Sequence, residues 1–350
     1  MTEPVLTTRQ LNRALLARQL LLEPSKLPLA AALEQIGGLQ TQYAPSGYIG
    51  LWSRLADFGR EDLTRALEER RAVQGTLMRV TIHTVSSADY WPMVAAIREA
   101  RRTWWLGISQ RQAGRRDMEV VAEAVREELA DGPLRVAELT RRLTARGFPP
   151  DAMQGVGLWV DLARVPPSGT WDRRRADLYG LADAWLPQVD IREEEGREHL
   201  VRRYLGAFGP APLHALASWA GLRATAFGPA VAKVADRRFR DERGTELLDL
   251  SNGPLPDPET PAPIRFLPTW DATLLIHARR TQILPEQHRS RIFNTKTPHS
   301  VSTFLVDGRV AGTWRYDEGR VELTPFAKLT RAERTELEGE AERLAAFHAA

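Results

Sequence analysis

The chain of 350 residues contains no cysteine. Disulfides and thiolate metal sites are therefore excluded, and the composition suits a reducing compartment such as the cytoplasm. Lysine is scarce: Lys26, Lys233, Lys296 and Lys328 stand among 48 basic residues, and all the others are Arg. Arg is the better fork for phosphates and guanine edges, although a GC-rich genome drives the same bias. No apolar run approaches the length of a membrane span. No charged-then-apolar leader precedes the first helix pattern, so neither anchor nor secretory signal is expected. The common chemical signatures are missing as well: no phosphate-cradling Gly loop, no His-Glu-x-x-His pair, no nucleophile elbow. The seven histidines (His83, His199, His214, His277, His288, His299, His348) show no i,i+4 pairing, so no metal site is expected. Carboxylates pair mainly in runs such as Glu193-Glu194-Glu195, which read as solvated helix faces. No cofactor is implied.

Apolar residues make up 43% of the chain, enough for real cores. The length predicts about two to four domains or repeats. A net charge of +3 with a pI near 9.4 makes nucleic acid a reasonable partner.

The stretch that stands out is Gly37-Gly38-Leu39-Gln40-Thr41-Gln42-Tyr43-Ala44-Pro45. Two Gly loosen the backbone before it and a Pro stiffens it after. In an extended segment residues i and i+2 point the same way, so Gln40 and Gln42 face one small volume. Two carboxamides there can hold a water or grip a base edge. A polar turn between two helices accounts for the same residues.

Around it the pattern is helical. Residues 7–21 form a helix with Thr7 or Thr8 as cap, and Leu29, Leu33 and Ile36 mark a second. Residues 48–55 and the Leu63–Leu67 region give two more. From Val73 to Val85 β-branched residues rise and the period drops toward two, as in a hairpin. Helices followed by a hairpin are the layout of a winged helix. Asp89–Trp105 is a further helix, and Gln110–Asp117 reads as an exposed basic connection. A second unit follows, with helices from Val120 to Leu129, from Val136 to Leu143 and from Met153 to Ala163, then a strand at Asp177–Leu181. A third repeats the scheme, and Phe208-Gly209-Pro210 echoes Asp131-Gly132-Pro133. Such repetition argues for tandem winged helices. Pro254, Pro256, Pro258, Pro261 and Pro263 stiffen a linker. Beyond it strands joined by tight turns, Asp307-Gly308 among them, predict a β-rich unit, closed by an amphipathic helix over about 331–347.

Two basic groupings are candidates for DNA. His288-Arg289-Ser290-Arg291-Ile292-Phe293 sets cations around an apolar tip that can wedge toward a base step; a charged loop with one anchoring Phe is the plainer reading. Arg79 and His83 sit in the first hairpin, where a wing can touch phosphate.

Taken together, Leu39-Gln40-Thr41-Gln42 with Leu51-Trp52-Ser53-Arg54, Leu77–His83, and Val306–Trp314 resemble the AlkZ-like family of bacterial DNA glycosylases. The likeness spans nearly the whole chain. It implies a fold that is mainly α with β wings: three tandem winged-helix motifs in a C-shape plus a C-terminal β-barrel. The corresponding units here are 1–116, 117–187, 188–258 and 259–350. It implies hydrolysis of the N-glycosidic bond of bulky or crosslinking N7-alkylated purines in double-stranded DNA, and in several members protection of producers of DNA-alkylating antibiotics. The family's Gln-hydrophobic-Gln signature falls on Gln40 and Gln42 as catalytic residues, with Thr41 departing at the middle position. Arg54, Arg79, His83, His288, Arg289 and Arg291 are then candidates for DNA contact. A lesion-probing β-hairpin maps near Gln287–Phe293. The enzyme is expected to be a monomer needing no metal or cofactor. The competing expectation is a non-enzymatic winged-helix DNA-binding protein such as a transcription regulator.

Overall fold

A computed structural model describes residues 3–109, 117–274, 280–293 and 300–350. The basic connection at 110–116, His277, Arg279 and His299 lie outside the described residues. The first helix, Thr8–Arg18, starts where the sequence signals it. Thr7 accepts from the Gln10 backbone N–H, and the Gln10 side chain returns the bond to Thr7. This reciprocal cap satisfies two otherwise orphaned donors. The helix Leu29–Ile36 buries Leu29, Ala32, Leu33 and Ile36 and stops at Gly37. Gly37 and Gly38 both take left-handed backbone, φ 75° and 77°. That reversal is open to Gly at little steric cost, and it sends Leu39–Gln40 into a short strand.

The strand pairs antiparallel with Ile82–Ser86, Leu39 opposite Thr84 and Gln40 opposite His83. Ile82–Ser86 pairs in turn with Ala72–Thr76, forming the expected hairpin. The sheet does not end there. Ala72–Thr76 continues to Leu162–Arg164, then Leu178–Leu181, then Leu134–Arg135. One six-stranded sheet thus joins strands from either side of residue 117. The helix expected over Met153–Ala163 is replaced by a single tight turn, Val156–Leu158, and the strand Leu162–Arg164. Gly155 is the cause. It is left-handed at φ 78°, and a Cβ there would collide with the Trp105 ring; β-branched Val156 and Val160 weaken helix further.

The helix Glu193–Phe208 packs along Ser87–Ser109. It shares a core with the helix Leu213–Ala220, through Tyr204, Phe208 and Trp219. The hairpin Arg237–Asp241 with Glu246–Asp249 gains a third strand from Val5–Leu6, which pairs in parallel. A fully buried Arg18–Asp249 ion pair fastens the first helix to this hairpin.

After the proline segment the strands Arg265–Leu267, Thr303–Val306, Arg309–Asp317 and Arg320–Pro325 form an antiparallel sheet in that order. Among the described residues this sheet of four strands is not closed on itself, which corrects the expected barrel. Instead the helix Arg331–Ala349 buries Leu337, Ala341, Leu344 and Phe347. They share one core with Phe266, Phe304 and Trp314 of the sheet and with Tyr48 and Leu51 of the first helices. The architecture is mixed α and β.

Candidate active site

Strand geometry does what the alternation of residues 39–42 requires. Leu39 and Thr41 point inward. Thr41 is 2% exposed, and its hydroxyl pairs with that of Thr84 at 2.9 Å. A polar residue is tolerated at this position because its hydroxyl is satisfied. Gln40 and Gln42 take the opposite face. Gln40 is 5% exposed and Gln42 is open to solvent. Gln40 Nε2 donates to Gln42 Oε1 at 2.9 Å. The two carboxamides therefore converge, as alternation predicts.

Arg79 completes the group. Its Nη2 donates to Gln40 Oε1 at 2.9 Å, and its Nη1 donates to the carbonyl of Trp219. Arg79 and Val80 form the hairpin turn with φ 56° and 58°. Two consecutive left-handed non-Gly residues cost energy, and such strain gathers at functional sites. Burial, reinforced by the charge of Arg280, lowers the Arg79 guanidinium to about 10. It remains a cation at neutral pH. Both of its arms are thus engaged within the protein. A cavity of about 330 Å³ lined by Tyr204, Phe208 and Arg280 includes neither glutamine.

His83, opposite Gln40, is 2% exposed. Burial first, then the charge of Arg79, depresses it to about 3, so it is neutral. Its Nδ1 lies 3.0 Å from the Thr81 carbonyl and is the protonated nitrogen. A buried neutral imidazole touches no phosphate, which corrects that expectation. Arg54 is corrected likewise. It is fully buried and bonded bidentately to Asp271, with Nη1 also donating to the Gly50 carbonyl. The plain reason is that Arg54 follows the helix Ala44–Trp52 into the interface with the C-terminal unit.

The basic cluster itself is helical: a tight turn at Glu286–His288 runs into Arg289–Ile292. Ile292 and Phe293 are buried, so they form no exposed wedge. Arg291 is exposed and lies over the Phe326 ring at 4.9 Å, and His288 contacts the same ring. Arg289 lies over Phe293. Phe293 and Ser300 form an antiparallel bridge, and 294–299 lie outside the described residues. Sequence reasoning missed Trp219 and Gly221 as supports of the site. Their one signal was the Ala220-Gly221 helix stop.

Among the described residues no cluster of three His, Asp or Glu side chains is placed to hold a metal. No helix among them is long and apolar enough to cross a membrane. What the arrangement offers is two neutral carboxamides ordered by one cation. Such a group orients water and polar substrate atoms and supplies no strong acid.

The family model for DNA glycosylase AlkZ-like proteins matches residues 33–347. An interstrand DNA cross-link repair glycosylase of Streptomyces sahachiroi is 24% identical over 362 residues, covering 93% of this chain and 92% of its own. The solved structure of Streptomyces sahachiroi DNA glycosylase AlkZ superposes with a TM-score of 0.80 at 19% identity, over 99% of this chain and 97% of that one. The match selects the enzyme over the regulator: the chain belongs to the AlkZ-like family of DNA glycosylases, hydrolases of the N-glycosidic bond.

Proposed function

We propose that the chain excises bulky N7-alkylated purines from double-stranded DNA, interstrand crosslinks among them, with Gln40 and Gln42 as the catalytic pair. Alkylation at N7 makes the base cationic and a good leaving group. No protonation of the base is then needed, which suits a site without a strong acid. A water oxygen bonds to the anomeric carbon as the bond to N9 breaks. The bonding pair leaves with the base, which becomes neutral, and the water releases a proton to solvent. Positioning a water against a developing oxocarbenium charge contributes several kcal/mol, up to roughly 7–11 in favourable systems. The observation that carries the reading is the convergence of the two carboxamides, 2.9 Å apart, with Gln42 open to solvent. An open site suits a bulky adduct attacked within a distorted duplex rather than flipped into a deep pocket.

The remaining parts of the reading follow from the same resemblance. Three winged-helix units, 1–116, 117–187 and 188–258, curve around the duplex as a monomer. Residues 259–350 add the DNA contacts of His288, Arg289 and Arg291. The relative's printed activity on interstrand cross-links supports the substrate class, and self-resistance to a DNA-alkylating natural product is the corresponding role in the cytoplasm. The test is incubation with duplexes carrying N7-methylguanine, a bulky N7 adduct and a crosslink, scored by alkaline cleavage at abasic sites. The bulky duplexes should be cleaved fastest. An intact bulky adduct after prolonged incubation would sink the proposal.

A further inference from the structure

We infer that Arg79 is a positioning residue that fixes the polarity of the two glutamines, so that the chain of donation runs from Arg79 to Gln40 to Gln42 and never in reverse. The inference rests on the reading of Gln40 and Gln42 as the catalytic pair and names what orders them. A carboxamide is nearly symmetric in shape but not in chemistry: one end only accepts, the other only donates. Left alone, each glutamine can turn over. Arg has donors and no acceptor. The Gln40 atom 2.9 Å from Arg79 Nη2 is therefore the oxygen. Its other end is then the amino group, and the atom it meets 2.9 Å away must accept, which makes it Gln42 Oε1. The amino group of Gln42 is left as the open end. One cation thus settles both rotamer ends. A water that donates to a free lone pair on either carboxamide oxygen turns its own lone pair outward, toward an incoming sugar carbon.

The anchoring of Arg79 supports the same role. Its second arm reaches the carbonyl of Trp219, in the last turn of the helix Leu213–Ala220. Carbonyls there lack helical partners and sit at the negative end of the helix dipole. Gly221 closes that helix at φ 76°, and a Cβ on it would lie 3.1 Å from both Arg79 N and Cα. The third unit therefore holds the first unit's strained turn from behind. Charge alone would not need this two-armed geometry.

The test uses the full chain with Arg79→Asn, Arg79→Lys, Gln40→Ala and Gln42→Ala. Asn tolerates left-handed backbone, so it removes the guanidinium without adding strain at position 79. Lys keeps the charge and loses the fork. Single-turnover excision of a bulky N7 adduct at saturating enzyme is compared with Kd for the same duplex. Misplacement of a catalytic group by about 1 Å can cost on the order of 10²-fold. Arg79→Asn should slow excision by about that factor with Kd within about threefold, and Arg79→Lys should fall between it and the parent. Parental rates in both Arg79 variants, with the glutamine variants inactive, overturn this inference and leave the catalytic pair standing. A parental rate in Arg79→Lys alone also overturns it, because charge is then sufficient. An unchanged saturated rate with weakened Kd makes Arg79 a DNA contact instead. Fully active glutamine variants strike the underlying proposal, not the Arg79 step.

Discussion

Arg54 and Asp271 meet through two parallel hydrogen bonds of 2.9 and 3.0 Å although 217 residues separate them in the chain. Both side chains are fully buried. The pair ties the end of the first-unit helix Ala44–Trp52 to the C-terminal unit. Thr273 adds two hydrogen bonds to the same carboxylate, from its backbone N–H and its hydroxyl.

Removing one partner strands a buried charge. Asp271→Asn should destabilise the fold by about 3–5 kcal/mol, read by urea denaturation at pH 7. Burial by itself pushes the Asp271 carboxyl up, but Arg54 and Thr273 outweigh it and hold the group below its usual 3.8. A depressed folded value stabilises the protein fully above the unfolded value and is lost as pH falls through the folded one. The parent's advantage over Asp271→Asn should therefore be constant above pH 5 and shrink only below about 4. An Asp271→Asn protein as stable as the parent at pH 7 would contradict the role assigned to the pair.

His83 carries a pH dependence of the same sign, set in a higher pH window. The unfolded chain protonates it near 6.5, whereas the folded protein resists until about 3. Between those values the unfolded state binds the extra proton, so stability falls as pH falls. The slope from this group is about 1.4 kcal/mol per pH unit. Relative to His83→Gln, the parent should lose stability at that slope from pH 6 to pH 4. Equal slopes in the two proteins would show that the imidazole titrates normally.

Gln40→Ala and Gln42→Ala should each slow excision by about 10²–10³-fold, the cost of losing one preorganised polar group at a reacting centre. Gel shifts on undamaged duplex should hardly move. Full excision by either variant would falsify the catalytic assignment.

Gly221→Ala tests the support behind Arg79. The left-handed φ of 76° and the close Arg79 backbone both oppose a methyl group. A Gly-to-Ala change at such a position costs more than about 1 kcal/mol. Excision should drop along with stability, because the turn bearing Arg79 is pushed away. A stable, fully active Gly221→Ala protein would separate the two.

DNA affinity should fall steeply with salt. Arg291→Ala should weaken binding to all duplexes alike and lower the slope of log K against log salt by about one. A slope unchanged within error would remove Arg291 from the interface.

The glutamine pair was legible because strand alternation needs only two residues of spacing. Gln40, Gln42 and inward Thr41 follow from that local rule. The first helix was legible from its Thr7 or Thr8 cap, the first hairpin from its β-branched residues. The Met153–Ala163 helix was misread because its apolar spacing is helical while Gly155, pressed on Trp105, forces a turn. Arg54 and His83 were misread for one reason. A charged or titratable side chain in a motif looks exposed until what packs against it is known, and Asp271 and the strand Leu39–Gln40 lie far off in the chain. The open C-terminal sheet was hidden because strand patterns do not say whether a helix or another strand covers the face.

By itself the sequence determined the pieces whose physics is local: the caps, the alternation that puts two carboxamides on one face, the cysteine-free chemistry. Only the tertiary structure decided what surrounds them. It placed Arg79 between Gln40 and the Trp219 carbonyl, buried His83, and closed Arg54 on Asp271. Those outcomes depend on desolvation and on the donor-acceptor matching of groups far apart in the chain. Both are set only when the units pack.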